Sequence, residues 1–270
     1  MKNLVLVSAA LFACTISCKK STVLSTEPPA AQKDSLRRIP QFVVDSVKIN
    51  DSLALNPNLT ASFEKSLLVF PTVKNKALLD SIYARENIHA ENFTKADLLA
   101  AAENQKEKFY TDTRKSLAQY TPVSKQIWSN SSRMKVFSND RNILTIKYSG
   151  DGFTGGAHGY YYEFYKVFDL QKNKTIHLSD IIKVQNQKIW GRILMDNFLN
   201  NDLEKGQSKM LLVKEIPLTE NFYFDAENLY FLYNQYEITA YAAGTVLIKV
   251  PLTDIKPFLT ADFKKKLDLN

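Results

Sequence analysis

The stretch YSGDGFTGGAHGYYYEFY, residues 148–165, holds five of the chain's eight glycines and one of its three histidines. How it is read decides the fold. Gly150-Asp151-Gly152-Phe153-Thr154-Gly155 has the GxGxxG spacing of a dinucleotide-binding turn. That turn opens a helix and is answered by an acid about 20 residues further on. Here the glycines run instead into Gly159-Tyr160-Tyr161-Tyr162-Glu163-Phe164-Tyr165, whose aromatic content belongs to a strand. No Gly-Lys-Ser/Thr follows, which also excludes a phosphate-binding P-loop. The stretch therefore reads as strand, glycine turn, strand. Gly155, Gly156 and Gly159 are expected to supply positive-φ positions, and His158 to tie the turn by a hydrogen bond.

Outward from this point the period is mostly two. Met134-Lys135-Val136-Phe137, a turn over residues 138–142 and Ile143-Leu144-Thr145-Ile146-Lys147-Tyr148 read as a hairpin. Residues 160–170 are a strand, residues 171–174 a turn, and Ile176-His177-Leu178 returns. Phe222-Tyr223-Phe224 and Leu229-Tyr230-Phe231-Leu232-Tyr233 flank a turn and make a second hairpin, and residues 245–250 are a further strand. Toward the N-terminus, Phe42-Val43-Val44, Val47-Lys48-Ile49 and Leu59 to Phe63 alternate as strands.

Helical spacing appears in three places. Val73, Ala77, Leu78 and Ile82 form one short face. Thr94-Lys95-Ala96-Asp97 is a capping box that opens a helix running to about Leu117, with Leu98, Ala101, Gln105, Phe109 and Thr113 on one face. Ser179 is placed to cap a short turn, and Ile189, Trp190, Ile193, Leu194 and Phe198 mark the third helix. Helices and strands are mixed, but hairpins join most strands. The expected fold is α+β, with antiparallel sheets built from hairpins and a few packed helices.

The 270 residues are 45% hydrophobic and carry a formal charge of +7. Basic and acidic residues are interspersed, without the patch that nucleic-acid binding needs, so no nucleic-acid partner is expected. Met1-Lys2-Asn3 followed by an apolar run over residues 4–12 reads as a signal segment, because the run is shorter than the roughly 20 residues that span a bilayer. Both cysteines lie at its end, Cys14 and Cys18. Each follows a small residue in a lipobox-like context. Cys18 is preferred as the lipidated residue, with Cys14 as the alternative, giving a signal over residues 1–17. Residues 18–40, rich in Ser, Thr, Pro and Ala, read as a flexible tether.

No catalytic signature stands out. His89, His158 and His177 lack HxxxH or HExxH spacing, and there is no GxSxG. A metal site would require His158 and His177 to meet across paired strands beside Asp151 or Asp169. No cofactor, metal or catalytic residue is assigned. The tyrosines are richer: Tyr160, Tyr161, Tyr162, Tyr165, Tyr223, Tyr230, Tyr233, Tyr236 and Tyr241 cluster in the second half. On alternating strands one set packs the core, and the other suits glycan stacking or protein contact.

Trp128, Leu144-Thr145-Ile146, Thr154-Gly155-Gly156-Ala157-His158-Gly159, Phe168-Asp169-Leu170 and Ile176-His177-Leu178-Ser179-Asp180 resemble the domain that accompanies the catalytic part of PdaC-type peptidoglycan deacetylases. Phe222-Tyr223-Phe224, Tyr236-Glu237-Ile238, Tyr241-Ala242-Ala243-Gly244 and Val250-Pro251-Leu252 resemble the C-terminal domain of RsiV-type anti-sigma factors. Ala240 departs from that pattern, where proline is common. The resemblance implies a PdaC-like module over residues 41–175 and an RsiV-like module over residues 176–270. It also implies an extracytoplasmic position and binding of lysozyme. Neither a deacetylase domain nor a sigma-binding segment is expected in this chain.

The expected function is a lipid-anchored cell-envelope binding module, non-catalytic, that recognises a lysozyme-like protein or cell-wall glycan. Its candidate binding residues are Thr154, Gly155, Gly156, His158, Tyr160, Tyr236, Glu237 and Tyr241, with residues 241–244 as the partner loop of the glycine turn. Asp225, Glu227 and Glu237 are candidates for a local acidic face toward a basic partner. The alternatives are an enzyme acting on wall polysaccharide through His158 and Asp151, and a structural envelope lipoprotein.

Overall fold

The computed structural model describes residues 42–183, 187–201 and 206–269. The signal segment, the whole of the tether and both cysteines lie outside the described residues. No helix among the described residues is long and apolar enough to cross a membrane.

The chain enters through two long antiparallel strands, β1 (Asp45–Asn56) and β2 (Leu59–Val69). Every second residue of β2 is buried: Leu59, Ala61, Phe63, Lys65, Leu67 and Val69. Strand period two thus presents one row to the core, with a lysine in it. Then come α1 (Lys76–Tyr83), a 3-10 turn over residues 84–86, and α2 (Lys95–Leu117). The capping box forms as expected. The N–H of Asp97 donates to the Thr94 hydroxyl, and the Thr94 N–H donates to the Asp97 carboxylate at 3.1 Å. The buried stripe of α2 is Leu98, Ala102, Tyr110 and Thr113, so the face predicted through Ala101, Gln105 and Phe109 is only partly buried.

Four strands complete the first sheet: β3 (Gln126–Asp140), β4 (Ile143–Phe153), β5 (Tyr160–Asp169) and β6 (Lys174–Ile176). Its order is β1-β2-β3-β4-β5-β6. All neighbours are antiparallel except β2 and β3, which run parallel from Leu59↔Gln126 to Ser66↔Arg133. A parallel pair needs a long crossover, and α1 with α2 provides it. The β3–β4 turn is shorter than predicted. It consists of Arg141 and Asn142, both left-handed, as a two-residue hairpin of type I′ requires.

Beyond β6 lie α3 (Leu178–Ile181), α4 (Gln187–Asn201), β7 (Phe222–Phe224), β8 (Asn228–Tyr233), β9 (Val246–Pro251) and α5 (Ala261–Lys266). Strands β7-β8-β9 form a second, antiparallel sheet. The architecture is α+β, in two mostly antiparallel sheets. Three local expectations shift. His177, not Ser179, occupies the cap of α3, where its N–H donates to Asp180. Ile189 is exposed, and α4 buries Trp190, Gly191, Leu194 and Phe198. Strand β1 begins at Asp45, after Phe42-Val43-Val44.

Two hydrophobic clusters hold these layers. One joins α1 and α2 to the first sheet through Phe63, Leu67, Leu78, Ile82, Leu98, Ile146, Tyr148 and Phe168. The other joins α4, α5 and the second sheet through Trp190, Leu194, Phe198, Phe231, Ile248 and Val250. Each fully buried aromatic or branched side chain contributes about 1.5–3 kcal/mol. Strand β5 serves both clusters, Phe168 facing the first and Val167 the second.

Strand β6 pairs with β5 only at residues 167–169, which leaves the earlier part of that edge without a strand partner. Two buried asparagines that flank strands of the second sheet, Asn221 before β7 and Asn234 after β8, occupy it. The Glu163 N–H donates to Asn234 Oδ1 and the Tyr165 N–H to Asn221 Oδ1, both at 2.8 Å. Their amide groups donate back to the Glu163 carbonyl, Asn221 at 2.8 Å and Asn234 at 3.1 Å. A leucine at either position would leave a buried backbone donor unpaired. Asn221→Leu and Asn234→Leu are each expected to cost about 1–3 kcal/mol, read as a fall in Tm. The double variant is expected to cost less than the sum, because both amides serve the same carbonyl.

Candidate functional site

Strands β4 and β5 close at Gly152↔Tyr160, and residues 154–159 form the link. Gly155 has φ +88° and Gly156 φ +100°, the positive-φ role expected of them. Gly159 has no positive φ. A Cβ there would sit 2.7 Å from the Gly152 carbonyl, so it is glycine for close backbone approach instead. Gly155 carries a second constraint, because its Cβ would lie 2.9 Å from the Trp128 ring. Trp128 is buried, stacks on Tyr120 and donates its indole N–H to Gln126. The turn rests on that indole.

His158 stands exposed at the tip. Its Nδ1 lies 2.8 Å from the Gly159 carbonyl and its Nε2 lies 3.3 Å from the Tyr236 hydroxyl. The consistent assignment has Nδ1–H donating to the carbonyl and Nε2 accepting from the phenol. The imidazole also lies over Tyr241, with ring centroids 4.1 Å apart. Tyr161 meets the edge of Tyr241, and a Cβ on Gly244 would come within 3.0 Å of the Tyr161 hydroxyl. The glycine turn and residues 241–244 thus meet as expected.

The loop after β8 is held by its own bonds. The Asn234 N–H donates to Glu237, the Glu237 N–H to the Asn234 carbonyl, and the Tyr236 N–H to the Thr239 carbonyl. Leu212 and Ala240 bind residues 238 and 210 across a short bridge. Tyr236 itself is left-handed, φ 64°, and 59% exposed. A side chain at that φ costs roughly 1–2 kcal/mol.

Not every candidate joins this patch. Glu237 accepts the bond that closes the loop, which gives it a structural task. Thr154 is exposed and hydrogen-bonds to none of the other candidates. Tyr160 points to the opposite face of β5 from Tyr161, into a cleft beneath α2, where burial raises the pKa of its phenol. Asp225 and Glu227 belong to the β7–β8 turn, and Glu237 lies beyond the far end of β8, so the three do not form one acidic face.

His158 and His177 sit at opposite ends of β5, and His177 lies near Glu220 instead. Among the described residues no group of three His, Cys, Asp or Glu side chains could hold a metal ion. Asp151 accepts from Ser131 at 2.7 Å and faces Arg133, and no hydrogen bond or ion pair joins it to His158.

The α2 cleft, of about 620 Å³, was not anticipated as a site. On its floor Lys65 pairs with Glu86 at 2.5 Å, and the Ser132 hydroxyl bridges both. All three are buried. The available signal was a lysine on the core face of an otherwise apolar alternating strand.

Two mostly antiparallel sheets joined by a clamped edge, with an aromatic patch where two loops meet, define a fold of the α+β class. Residues 168–253 match the family model described as "Protein of unknown function (DUF3298)". Tyr236 and Tyr241 fall inside the match, and the glycine turn precedes it. A member of the DUF3298 family from Bacteroides fragilis has the same fold, with TM-score 0.71 and 20% identity over 85% of this chain and 98% of its own. A DUF3298 family protein from Pseudomonas aeruginosa is similar at TM-score 0.56 and 18% identity, over 82% of this chain and 96% of its own. No curated protein matches the chain.

The two turn glycines separate strain from collision. Gly156→Ala meets nothing within 4 Å and is expected to cost about 1–2 kcal/mol from its φ alone. Gly155→Ala adds contact with the Trp128 ring. It is expected to cost more and to shift the tryptophan emission, which Gly156→Ala leaves in place.

Proposed function

We propose that this chain is a non-catalytic, lipid-anchored module of the cell envelope. It binds a protein partner, lysozyme-like as the resemblance implies, through the patch of His158, Tyr236 and Tyr241. Tyr236 carries the reading. It is exposed, and it holds a backbone conformation that a tyrosine occupies only at a cost. Nothing in the core uses its ring. Tyrosines offered this way, with a rigid ring and a polar tip, are what central positions of protein interfaces favour.

The bonds of His158 favour recognition over acid–base work. One nitrogen is committed to the turn and the other to a phenol, and no carboxylate among the described residues orients the ring. Wall glycan is the second reading, favoured by the ring faces of Tyr236 and Tyr241, which suit sugar stacking. Anchoring rests on Cys18, with Cys14 as the alternative, and places the module outside the cytoplasm. The chain's positive charge slows encounter with a basic lysozyme, so affinity would come from the patch rather than from steering.

Calorimetry with a c-type lysozyme at physiological salt tests the proposal. Binding at micromolar Kd or tighter is expected, and Tyr241→Ala should weaken it at least about tenfold. Tyr236→Asn is the sharper variant, because asparagine tolerates the left-handed region. It should hold or raise Tm while weakening binding by a similar factor. Absence of binding by the intact chain would retire the lysozyme reading. Retention of full affinity by both variants would move the interface elsewhere.

A further inference from the structure

The cleft beneath α2 is built from one face of the first sheet. On β4, Gly150 and Gly152 leave that face bare. A Cβ at either would lie 2.6 Å from the hydroxyl of Tyr162 or Tyr160, which reach across from β5. Tyr160, Tyr162 and Phe164 follow one another at i, i+2 and i+4 and form an aromatic strip. At its end the Arg85 guanidinium lies over the Phe164 ring.

Several polar groups on this surface have no partner among the described residues. Among the described residues, the phenols of Tyr160 and Tyr162 and the carboxamide of Asn130 make no hydrogen bond, although all three border the cleft. Among the described residues Arg85 has no carboxylate within ion-pairing distance, and Glu86 and Glu237 reach it only at longer range. The other cleft cations are paired, Lys65 with Glu86 and Lys108 with Asp112. The uncompensated charge in the cleft is therefore the one on Arg85.

Burial raises the Tyr162 phenol to about 12, so it remains a hydrogen-bond donor across the physiological range. A volume of about 620 Å³ falls within the range of small-molecule sites. Flat rings with unpaired donors beside them suit a ligand with apolar faces and hydroxylated edges, and a lone guanidinium adds a carboxylate at one end.

We propose that this cleft is a binding site for an acidic saccharide: a pyranose ring lies on Tyr160 and Tyr162, its hydroxyls meet Asn130 and the phenols, and its carboxylate pairs with Arg85. The site lies on the face of β5 opposite the Tyr161–Tyr241 contact. It stands independently of the protein-binding patch, so either can fail without the other.

The test titrates the full chain with methyl β-D-glucuronide and with methyl β-D-glucoside, which differ only in the carboxylate, by saturation-transfer NMR and calorimetry. The uronide is expected to bind at least about tenfold more tightly, as one charge-assisted bidentate contact provides. N-acetylmuramic acid against N-acetylglucosamine forms a second arm, and the tighter of the two acids identifies the source of the carboxylate. Arg85→Gln, at an exposed position, should erase the acid preference while lowering Tm only slightly through the lost contact with Phe164. Tyr160→Leu should weaken acid and neutral sugars alike. Equal binding of the acid and neutral members of both pairs, an acid preference that survives Arg85→Gln, or no saturation by any of the four would overturn the proposal.

Discussion

The molecule depends on how the free edge of β5 is satisfied. An unpaired strand edge invites another strand, from the same chain or from a different one. Here two side-chain amides take that place. Asn221 and Asn234 accept from the N–H groups of Tyr165 and Glu163 and return donors to the Glu163 carbonyl. An amide can do this because it carries the same donor and acceptor as a peptide group. The cost of burying two asparagines is offset only while every bond is made, so the arrangement fixes one position of the second sheet against the first.

That fixed position sorts the two surfaces of β5. Alternation along β5 sends Tyr160, Tyr162 and Phe164 toward α2, and Tyr161, Glu163 and Tyr165 toward the second sheet. Asn234 is the residue from which the Tyr236 loop departs. Its clamp on Glu163 therefore also sets where Tyr236 and Tyr241 meet His158. The aromatic patch is a consequence of the edge clamp, and the cleft is a consequence of the same strand's other face. Tyr165 completes the contact between sheets by packing against Phe137 and Tyr223, and burial with the Glu163 carboxylate beside it keeps its phenol protonated.

Legibility in the sequence followed the range of the interaction. The capping box at Thr94 and Asp97, the positive-φ glycines at 155 and 156 and the hairpin strands are local, and each was readable from a few residues. Gly159 was misread because a glycine needed for close approach looks the same in sequence as one needed for its φ. The parallel pairing of β2 with β3 was hidden, since nothing within either strand records the direction of its neighbour. Tyr160 was grouped with His158 by proximity in sequence, yet strand alternation places the two on different surfaces. The His158–Tyr236 contact spans 78 residues and was not legible, since only residues 241–244 were expected to meet the glycine turn.

Lys65 illustrates what lies between those extremes. Its position in an alternating strand is visible in the sequence, and so is the oddity of a lysine among Ala61, Phe63, Leu67 and Val69. Its partner is not visible, because Glu86 reaches it from a 3-10 turn 21 residues away. Replacing such a pair with apolar groups is often neutral or stabilising, so stability alone does not call for it. Beside it Gly150 and Gly152 leave a strand without side chains, another local disadvantage for a sheet. Two departures from good strand design on one face, each compensated by aromatic rings or by a buried hydroxyl, indicate a surface shaped for something other than the core. The same glycine-rich segment therefore builds two different things: a turn that presents His158 on one side, and a bare strip under two tyrosines on the other.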